Sequence, residues 1–282
     1  MVLKPPLQNY MKKIIGLLVA LLATTANSFA SQEKLIALTF DDGPRPYVLF
    51  GTPPGAEKPT PSLLDLLDKD QVKATFFVMG WRLTPGSYGD RREPRIDKTC
   101  LDAARETFRR GNEIENHTYS HVQLRLLEKQ KGETGAVADV DKGAQMVKSV
   151  TGRTPLYLRP PDWIMTPELA RDLQARGYHI LTISSELPIA LRDVNSLDYL
   201  CAGRASQCPK PSLTDSVLRQ IADREKHGVT THILTFHELS TTYPAIEKLI
   251  PELKSHGYRF VTLEEYMRLV RPAANLSATS GQ

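Results

Sequence analysis

Short apolar segments alternate with segments of helical periodicity along most of the chain. The first strand is predicted over 34–40 (KLIALTF), an almost continuous apolar run that ends in the turn-forming sequence Asp41-Asp42-Gly43-Pro44. Further strands are predicted at 72–78, 113–116, 156–159, 178–183, 232–236 and 259–261. Helices are predicted at 60–67, 97–110, 135–150, 167–176, 214–226, 244–256 and 263–270. Seven strand–helix pairs in this alternation predict an α/β fold with a parallel sheet.

The first 30 residues have the pattern of an export signal. Lys12 and Lys13 precede an apolar stretch from 14 to 22, and Ser28-Phe29-Ala30 is a typical cleavage site. The polar segment ahead of Met11 makes that methionine an alternative start, and an uncleaved membrane anchor is the competing interpretation. We therefore expect a secreted or periplasmic protein without stable membrane insertion after cleavage. The signal would cover 1–30, one folded domain 31–270, and a flexible tail 271–282.

Composition argues for a soluble globular domain and against nucleic acid as a partner. The 282 residues are 41% hydrophobic and 24% charged. Removal of the predicted signal takes away three of the 36 basic residues and none of the 32 acidic ones, so the remaining chain is close to neutral. No basic stripe with interleaved aromatic residues occurs in the sequence, which excludes the usual pattern of a nucleic-acid-binding surface.

The three cysteines, Cys100, Cys201 and Cys208, all follow the predicted signal. In an oxidising compartment Cys201 and Cys208 could close a small loop, although the sequence leaves the pairing open. Their spacing contains no CxxC pair, so a cysteine zinc site is not expected.

Polar side chains with catalytic potential follow four of the predicted strands. In chain order these are Asp41, Asp42, His117, His121, Arg159 and His237. Parallel α/β folds bind ligands at the carboxyl ends of their strands, so these side chains should meet on one face. Each has a structural explanation when taken alone: a turn, a surface histidine pair, a surface charge or a buried histidine. Their joint occurrence at strand ends favours the functional interpretation.

This set of residue types is suited to metal-assisted hydrolysis. Two histidines four residues apart and one carboxylate form a three-ligand site that leaves positions open. Such ligands suit Zn²⁺ best, and Co²⁺, Ni²⁺ or Fe²⁺ on ligand type alone. A second carboxylate can then act as general base, and a histidine opposite can return the proton.

The sequence resembles the polysaccharide deacetylase family, also called carbohydrate esterase family 4 or the nodulation-type chitooligosaccharide deacetylase homology domain. Residues 39–44 (TFDDGP) and 117–121 (HTYSH) match its first two motifs, and 74–80 (ATFFVMG) is typical of it. The resemblance covers roughly 34–270. It implies a distorted (β/α)7 barrel and a metal-dependent hydrolase that removes N-acetyl groups from an amino-sugar glycan. Chitin-like polymers, poly-N-acetylglucosamine and peptidoglycan are the substrates it implies, with acetate as product.

The resemblance also implies a role for each of these strand-end residues. Asp41 would be the catalytic base, which Arg159 orients, and His237 would be the catalytic acid. The metal ligands would be Asp42, His117 and His121. A backbone N–H just after Pro161 would help to stabilise the oxyanion.

The third and fifth family motifs are altered in this chain. Asp162 replaces the aromatic residue expected after Pro161, and Trp163 is predicted to supply the aromatic surface instead. Thr235 occupies the position where the family has a leucine of the acyl pocket, with Leu234 beside it. We therefore expect these five residues to contact substrate, in a pocket that differs from the usual one.

The fourth motif, Asp-x-x-Asp-Trp, has no clean match, so the acidic partner of Arg159 is left open between Glu186 and Asp193. This gap supports one alternative, a glycan-binding pseudoenzyme. A second alternative is an O-acetyl esterase acting on a cell-wall or lipid-linked glycan. Insertions at 45–58, 83–95 and 201–211 are expected to shape access for the substrate. Oligomeric state cannot be predicted from the sequence.

Overall fold

A curled sheet of parallel strands forms the centre of the computed structural model, which describes residues 33–53, 55, 59–183, 187–203 and 205–278. Its strands are β1 (Leu35–Gly43), β2 (Thr75–Val78), β5 (Glu113–Asn116), β6 (Tyr157–Leu158), β7 (His179–Ile180), β8 (Asp193–Asn195), β9 (Thr231–His237) and β10 (Arg259–Val261). The order across the sheet is β7-β6-β5-β2-β1-β9-β8, and β10 pairs with the beginning of β1. A short antiparallel pair, β3 (Arg92–Glu93) and β4 (Lys98–Thr99), forms a separate sheet. The predicted parallel α/β architecture is confirmed.

Helices connect the strands and cover the sheet. They are α1 (Pro46–Leu49), α2 (Leu63–Lys69), α3 (Cys100–Arg109), α4 (Leu124–Thr151), α5 (Pro167–Ala175), α6 (Tyr199–Gly203), α7 (Leu213–Glu225), α8 (Tyr243–Ser255) and α9 (Leu263–Ala278). Side chains fix several of their starts: Thr99 and Asp102 form a reciprocal capping box at α3, and Ser212 caps α7. The predicted order of helices is therefore observed, with short additional helices between them.

Alternation along β1 divides the core into two layers. Leu38 and Phe40 pack in the cluster that includes residues of α2 and α8, while Leu35 and Ala37 belong to the second cluster with Tyr266 of α9. Successive side chains of a strand point to opposite faces, so the buried Asp41 continues the face of Leu35 and Ala37. The strand pattern thus directs Asp41 into the curled side of the sheet.

Several element boundaries differ from the prediction. Helix α4 begins at Leu124 rather than at 135, because Leu124 and Leu127 are buried ahead of a break at Gly132 (φ 71°). Strand β8 was not predicted, because three residues are too few to show a strand period.

The last helix also differs from the prediction. Helix α9 spans Leu263–Ala278, beyond the end predicted at residue 270.

The disulfide left open by the sequence joins Cys201 and Cys208, and Cys100 is a buried free thiol. The predicted export signal and Glu186 lie outside the described residues. Within the described part, no helix has both the length and the apolar character that a membrane crossing requires.

Candidate metal and catalytic site

Three potential metal ligands meet at the carboxyl ends of β1 and β5. The Oδ1 atom of Asp42 lies 2.9 Å from Nε2 of His121 and 3.5 Å from Nε2 of His117. The two Nε2 atoms are 3.2 Å apart, and the three ligand atoms all lie within 4.8 Å of one another. The structure therefore brings together the three residues predicted to bind the metal.

The hydrogen bonding of His117 leaves its Nε2 available as a ligand. Its Nδ1 donates to the carbonyl oxygen of Arg159 at 2.7 Å, which fixes the proton on that nitrogen. Oδ1 of Asp42 is buried without a hydrogen-bond partner among the described residues. A carboxylate oxygen and an imidazole nitrogen with free lone pairs, facing a second imidazole nitrogen, fit a divalent cation.

The protonation states of Asp42 and His121 also depend on how close these side chains lie to one another. Burial raises the pKa of Asp42, but the adjacent imidazoles of His117 and His121 outweigh this effect and hold the pKa well below its usual range. Burial lowers the pKa of His121, but the Asp42 carboxylate raises it by more, so the pKa lies above its usual value. The carboxylate is therefore ionised at neutral pH, as metal ligation requires.

The backbone around these ligands is strained. Asp42 (φ 68°), Thr118 (φ 65°) and His121 (φ 61°) have left-handed conformations that non-glycine residues rarely adopt. Each such residue costs roughly 1–3 kcal/mol, and such residues cluster at ligand sites. The amide oxygen of Asn116 accepts from the N–H of Thr118 and supports this turn.

A fully buried arginine links two carboxylates beside the ligands. Nη1 of Arg159 donates to Oδ1 of Asp41 at 2.6 Å and to Thr39. Nε and Nη2 of the same guanidinium bond the two oxygens of Asp193 at 3.1 and 3.2 Å. Burial raises the pKa of Asp193, and the Arg159 charge acts in the opposite direction. Asp193 is therefore the acidic partner of Arg159 that the sequence could not assign.

A third buried carboxylate, Asp198, is hydrogen-bonded to His237. Its Oδ1 lies 2.7 Å from Nδ1 of His237, and its Oδ2 accepts from the backbone N–H of His237 and the hydroxyl of Thr242. Burial lowers the pKa of His237, but the hydrogen bond and charge of Asp198 raise it to about 9. The imidazole is therefore protonated at neutral pH, and the hydrogen bond between its Nδ1 and Asp198 orients the ring.

Asp198 is the functional residue that sequence reasoning missed. Four residues separate Asp193 from Asp198, and Tyr199 follows, where the family motif has two intervening residues and a tryptophan. The ring of Tyr199 packs edge-on against His237 at 5.5 Å between centroids. The sequence Asp-x-x-x-x-Asp-Tyr is thus a lengthened form of the fourth motif. A search that tolerated two extra residues before an Asp-aromatic pair would have found it.

These groups line an open cavity of about 440 Å³. Asp41, Asp42, His117, His121 and His237 lie in its lining, which the following side chains complete: Pro160, Asp162, Trp163, Ile183, Asn195 and Tyr199. The indole N–H of Trp163 donates to Asp193 at 2.9 Å, which fixes the ring at the cavity wall. Asp162 also accepts from the amide of Gln123.

Three of the five residues predicted to contact substrate lie away from this lining. Leu234 packs in the helix-side core, because it alternates with the residues that face the curled side of the sheet. Thr235 is fully buried in β9, two residues before His237. Pro161 is buried, and Pro160 lines the cavity in its place. Asp162 and Trp163 do reach the cavity.

The fold and this arrangement of side chains define a hydrolase site at the strand ends of a curled parallel α/β barrel. A family model for polysaccharide deacetylase matches residues 30–181 of the chain. The chain therefore belongs to the polysaccharide deacetylase family, a class of hydrolase that acts on amide bonds in glycans.

Similar proteins span most of the chain. A peptidoglycan-N-acetylglucosamine deacetylase of Bacillus cereus is 28% identical over 84% of this chain and 90% of its own length. A chitin deacetylase of Colletotrichum lindemuthianum is 28% identical over 83% and 80%. The solved structure of a family 4 acetyl xylan esterase from Clostridium thermocellum with a cobalt ion superposes with a TM-score of 0.60 and 25% identity, covering 84% and 91%. The predicted distorted barrel is confirmed by this likeness.

Proposed function

We propose that this protein hydrolyses N-acetyl groups of an amino-sugar glycan and releases acetate, with a divalent cation held by Asp42, His117 and His121. The observation that carries the proposal is the single cavity in which these ligand atoms lie together with Asp41 and His237. Its relatives include deacetylases of peptidoglycan and of chitin, which supports a β-linked N-acetylglucosamine polymer as the substrate class.

Zn²⁺ is the cation that this ligand set suits best, with Co²⁺, Ni²⁺ or Fe²⁺ as further candidates. When bound, such a cation supplies Lewis-acid polarisation of the acyl oxygen and eases the ionisation of water. Asp42 contributes the negative charge of the ligand set, and His117 contributes a nitrogen whose orientation is fixed through the carbonyl oxygen of Arg159.

Asp41 is proposed to take the proton from the attacking water. The Arg159 guanidinium holds Oδ1 of Asp41, and therefore orients the second oxygen of that carboxylate. This hydrogen bond keeps the Asp41 carboxylate in one orientation, as general base catalysis requires. The same guanidinium is anchored by Asp193, so the base rests on a rigid buried pair.

His237 is proposed to donate the proton to the departing amine nitrogen. Its Nδ1 is bound by Asp198, which leaves Nε2 as the nitrogen that can deliver a proton. The backbone N–H of Asp162, directly after Pro161, is proposed to help stabilise the oxyanion. Trp163 and Tyr199 supply aromatic surfaces on the cavity wall for the sugar ring.

Replacement of Asp198 by asparagine is expected to shift the alkaline limb of the kcat–pH profile. In the wild type, activity should fall as His237 loses its proton near its raised pKa of about 9. The neutral amide removes the charge that raises this pKa, so the limb should move to lower pH by roughly one unit or more. An NMR titration of His237 in the metal-free protein should show a shift in the same direction.

The matched control is Asp223→Asn, an exposed aspartate paired with Lys226. It should leave both the profile and the NMR titration unchanged. An alkaline limb that stays in place in Asp198→Asn would contradict the role assigned to His237.

The proposal is tested by acetate release from an N-acetylglucosamine tetramer and from O-acetylated xylan. Chelator-treated protein should be inactive on the tetramer, and added Zn²⁺ or Co²⁺ should restore hydrolysis. The acetyl xylan esterase among the similar structures makes ester hydrolysis the second candidate. Faster turnover of the xylan ester than of the tetramer would favour that candidate.

We propose that the protein is exported by a signal at 1–30, with Met11 as the alternative start, and acts as a secreted or periplasmic enzyme. Cell-wall glycan is present in that compartment, and a peptidoglycan deacetylase is among the relatives. The Cys201–Cys208 disulfide also fits an oxidising compartment. Amino-terminal sequencing of the protein recovered from culture medium or periplasm would test the cleavage after Ala30.

A further inference from the structure

A second cavity, of about 330 Å³, lies beside the candidate metal site, and four of its nine lining residues are arginines. The guanidinium-bearing residues of its wall are Arg45, Arg82, Arg91 and Arg92. Nη2 of Arg45 in its wall lies 3.7 Å from Oδ2 of Asp42, which lines the metal-site cavity. A ligand group in the arginine pocket, as we call this cavity, would therefore lie close to a glycan bound at the metal ligands.

Two of the insertions noted in the sequence build the arginine pocket. The segment 45–58 supplies Arg45 and Tyr47, and the segment 83–95 supplies Arg91. The strand pair β3–β4 and the turn at Tyr88–Asp90 give the second segment a defined shape. These insertions therefore supply most of the pocket wall, which Arg82 and Cys100 complete.

Much of the positive charge in the arginine pocket is not neutralised within the protein. Arg82 and Arg91 make no ion pair with a carboxylate in the part of the chain that the structure describes. The Nε atoms of Arg45 and Arg82 are buried without a hydrogen-bond partner among those same residues. An anion in the pocket would compensate the charge of the guanidinium groups that lack a carboxylate partner.

The acidic groups near the arginine pocket pair with Arg45, Arg92 and Arg95 and leave Arg82 and Arg91 without a carboxylate partner among the described residues. Glu93 lines the pocket but is bound to Arg95 at 2.6 Å, and Arg92 pairs with Asp97. Glu238 lies beneath, where its Oε2 accepts from the N–H of Arg45 at 2.7 Å. Burial raises the pKa of Glu238 to about 7, which lessens its negative charge at neutral pH.

Aromatic rings hold the unpaired arginines in place. The guanidinium of Arg82 lies 4.9 Å from the ring centroid of Trp81 and 5.4 Å from that of Tyr88. Arg91 lies 5.5 Å from the same Tyr88 ring. Stacked arginines lose less conformational entropy when they bind, and they present planar donors suited to carboxylate or phosphate. The pocket is preorganised for an anion.

We propose that the arginine pocket binds an anionic substituent, a carboxylate or a phosphate, carried by the glycan whose acetyl group is hydrolysed. The inference rests on the proposed function and narrows its substrate class to acidic glycans. The anion lies next to Arg45, and the sugar that carries the acetyl group lies over Asp42.

The kinetic test compares two tetramers that differ only in charge. In one, N-acetylglucosamine alternates with glucuronic acid; in the other, the carboxylates are converted to methyl amides. Wild-type kcat/KM should favour the acidic tetramer, and Arg82→Gln or Arg91→Gln should lower the acidic-to-neutral ratio roughly 10-fold to 100-fold. An N-acetylglucosamine tetramer with a 6-phosphate tests the phosphate alternative in the same way. Arg171→Gln, an exposed control paired with Glu168, should keep the wild-type ratio.

Binding is measured separately from hydrolysis by the fluorescence of Trp81. The chain contains two tryptophans, so Trp163→Phe leaves Trp81 as the only one. Titration of this variant with sodium glucuronate, or with inorganic phosphate, should give a saturable change because the anion alters the charge next to the indole that Arg82 stacks on. Addition of Arg82→Gln should abolish the change, and N-acetylglucosamine should not produce it.

The two proposals fail in different ways in these experiments. Equal kcat/KM for the charged and amidated tetramers, with ratios unaffected by Arg82→Gln and Arg91→Gln, would overturn the arginine pocket as a substrate subsite. A fluorescence change in Trp163→Phe, together with no acetate release from the tetramers by the metal-loaded wild-type protein, would instead overturn the proposed deacetylase function.

Discussion

Asp41→Asn is expected to lower kcat for acetate release by roughly 10²–10⁴-fold, the usual contribution of a general base. The asparagine oxygen can still accept the hydrogen bond that Arg159 donates, so the side chain keeps its place but cannot take a proton. Metal content should stay at the wild-type level, because Asp42 and the two histidines supply the ligand atoms. Steady-state kinetics together with elemental analysis of the purified variant would measure both effects.

Asp68→Asn is the matched control for this substitution. Asp68 is an exposed aspartate paired with Lys73, so its variant should keep wild-type turnover. Unchanged turnover in metal-loaded Asp41→Asn would show that another group acts as the base.

Arg159→Met is expected to destabilise the protein by about 3–5 kcal/mol, the usual cost of breaking a buried ion pair from one side. The arginine side chain is 1% exposed and its partners Asp41 and Asp193 are 4% and 0% exposed. Without the guanidinium, two carboxylates would remain close together in the interior with no positive charge between them. Urea denaturation of the metal-free proteins at neutral pH would measure the loss in the free energy of unfolding.

The control for this measurement is Arg171→Met, which removes an exposed ion pair with Glu168. Exposed pairs contribute about 0–1 kcal/mol, so this variant should unfold close to the wild-type midpoint. A similar midpoint for Arg159→Met would contradict the role of Arg159 as the charge that compensates the two buried carboxylates.

The sequence was sufficient to predict the central residues of the site because their placement follows from local rules. A parallel sheet brings the carboxyl ends of its strands together, so side chains directly after strands converge without any knowledge of packing. Asp41 and Asp42 follow the apolar run of β1, and His117 and His121 lie four residues apart in one turn after β5. For these residues, the position in the sequence is enough to predict where the side chain lies in the structure.

Residues whose role depends on a distant partner were harder to predict. Asp198 acts through His237, 39 residues away, and lies in a segment whose spacing differs from the family motif. Thr235 was misplaced for a related reason: the motif gave its position in the strand, whereas burial beneath His237 depends on how β8 and β9 pair. Pairing register between distant segments is set by packing and is not visible in a single sequence.

The arginine pocket, which is built from loops, likewise could not be predicted from the sequence. The insertions at 45–58 and 83–95 were visible as long connections, but neither segment alone indicates a shared cavity. Arg82 and Arg91 become part of one site only because Tyr88 packs between them. Long-range convergence of this kind requires the folded structure.

The most direct test of the account is a titration of the metal-free protein with Zn²⁺ while acetate release from an N-acetylglucosamine tetramer is followed. We predict that activity rises linearly and stops at one equivalent per chain, and that His121→Ala requires a large excess of Zn²⁺ for any activity. Undiminished hydrolysis by the metal-free protein, or full activity of His121→Ala at one equivalent, would contradict a single cation held by Asp42, His117 and His121.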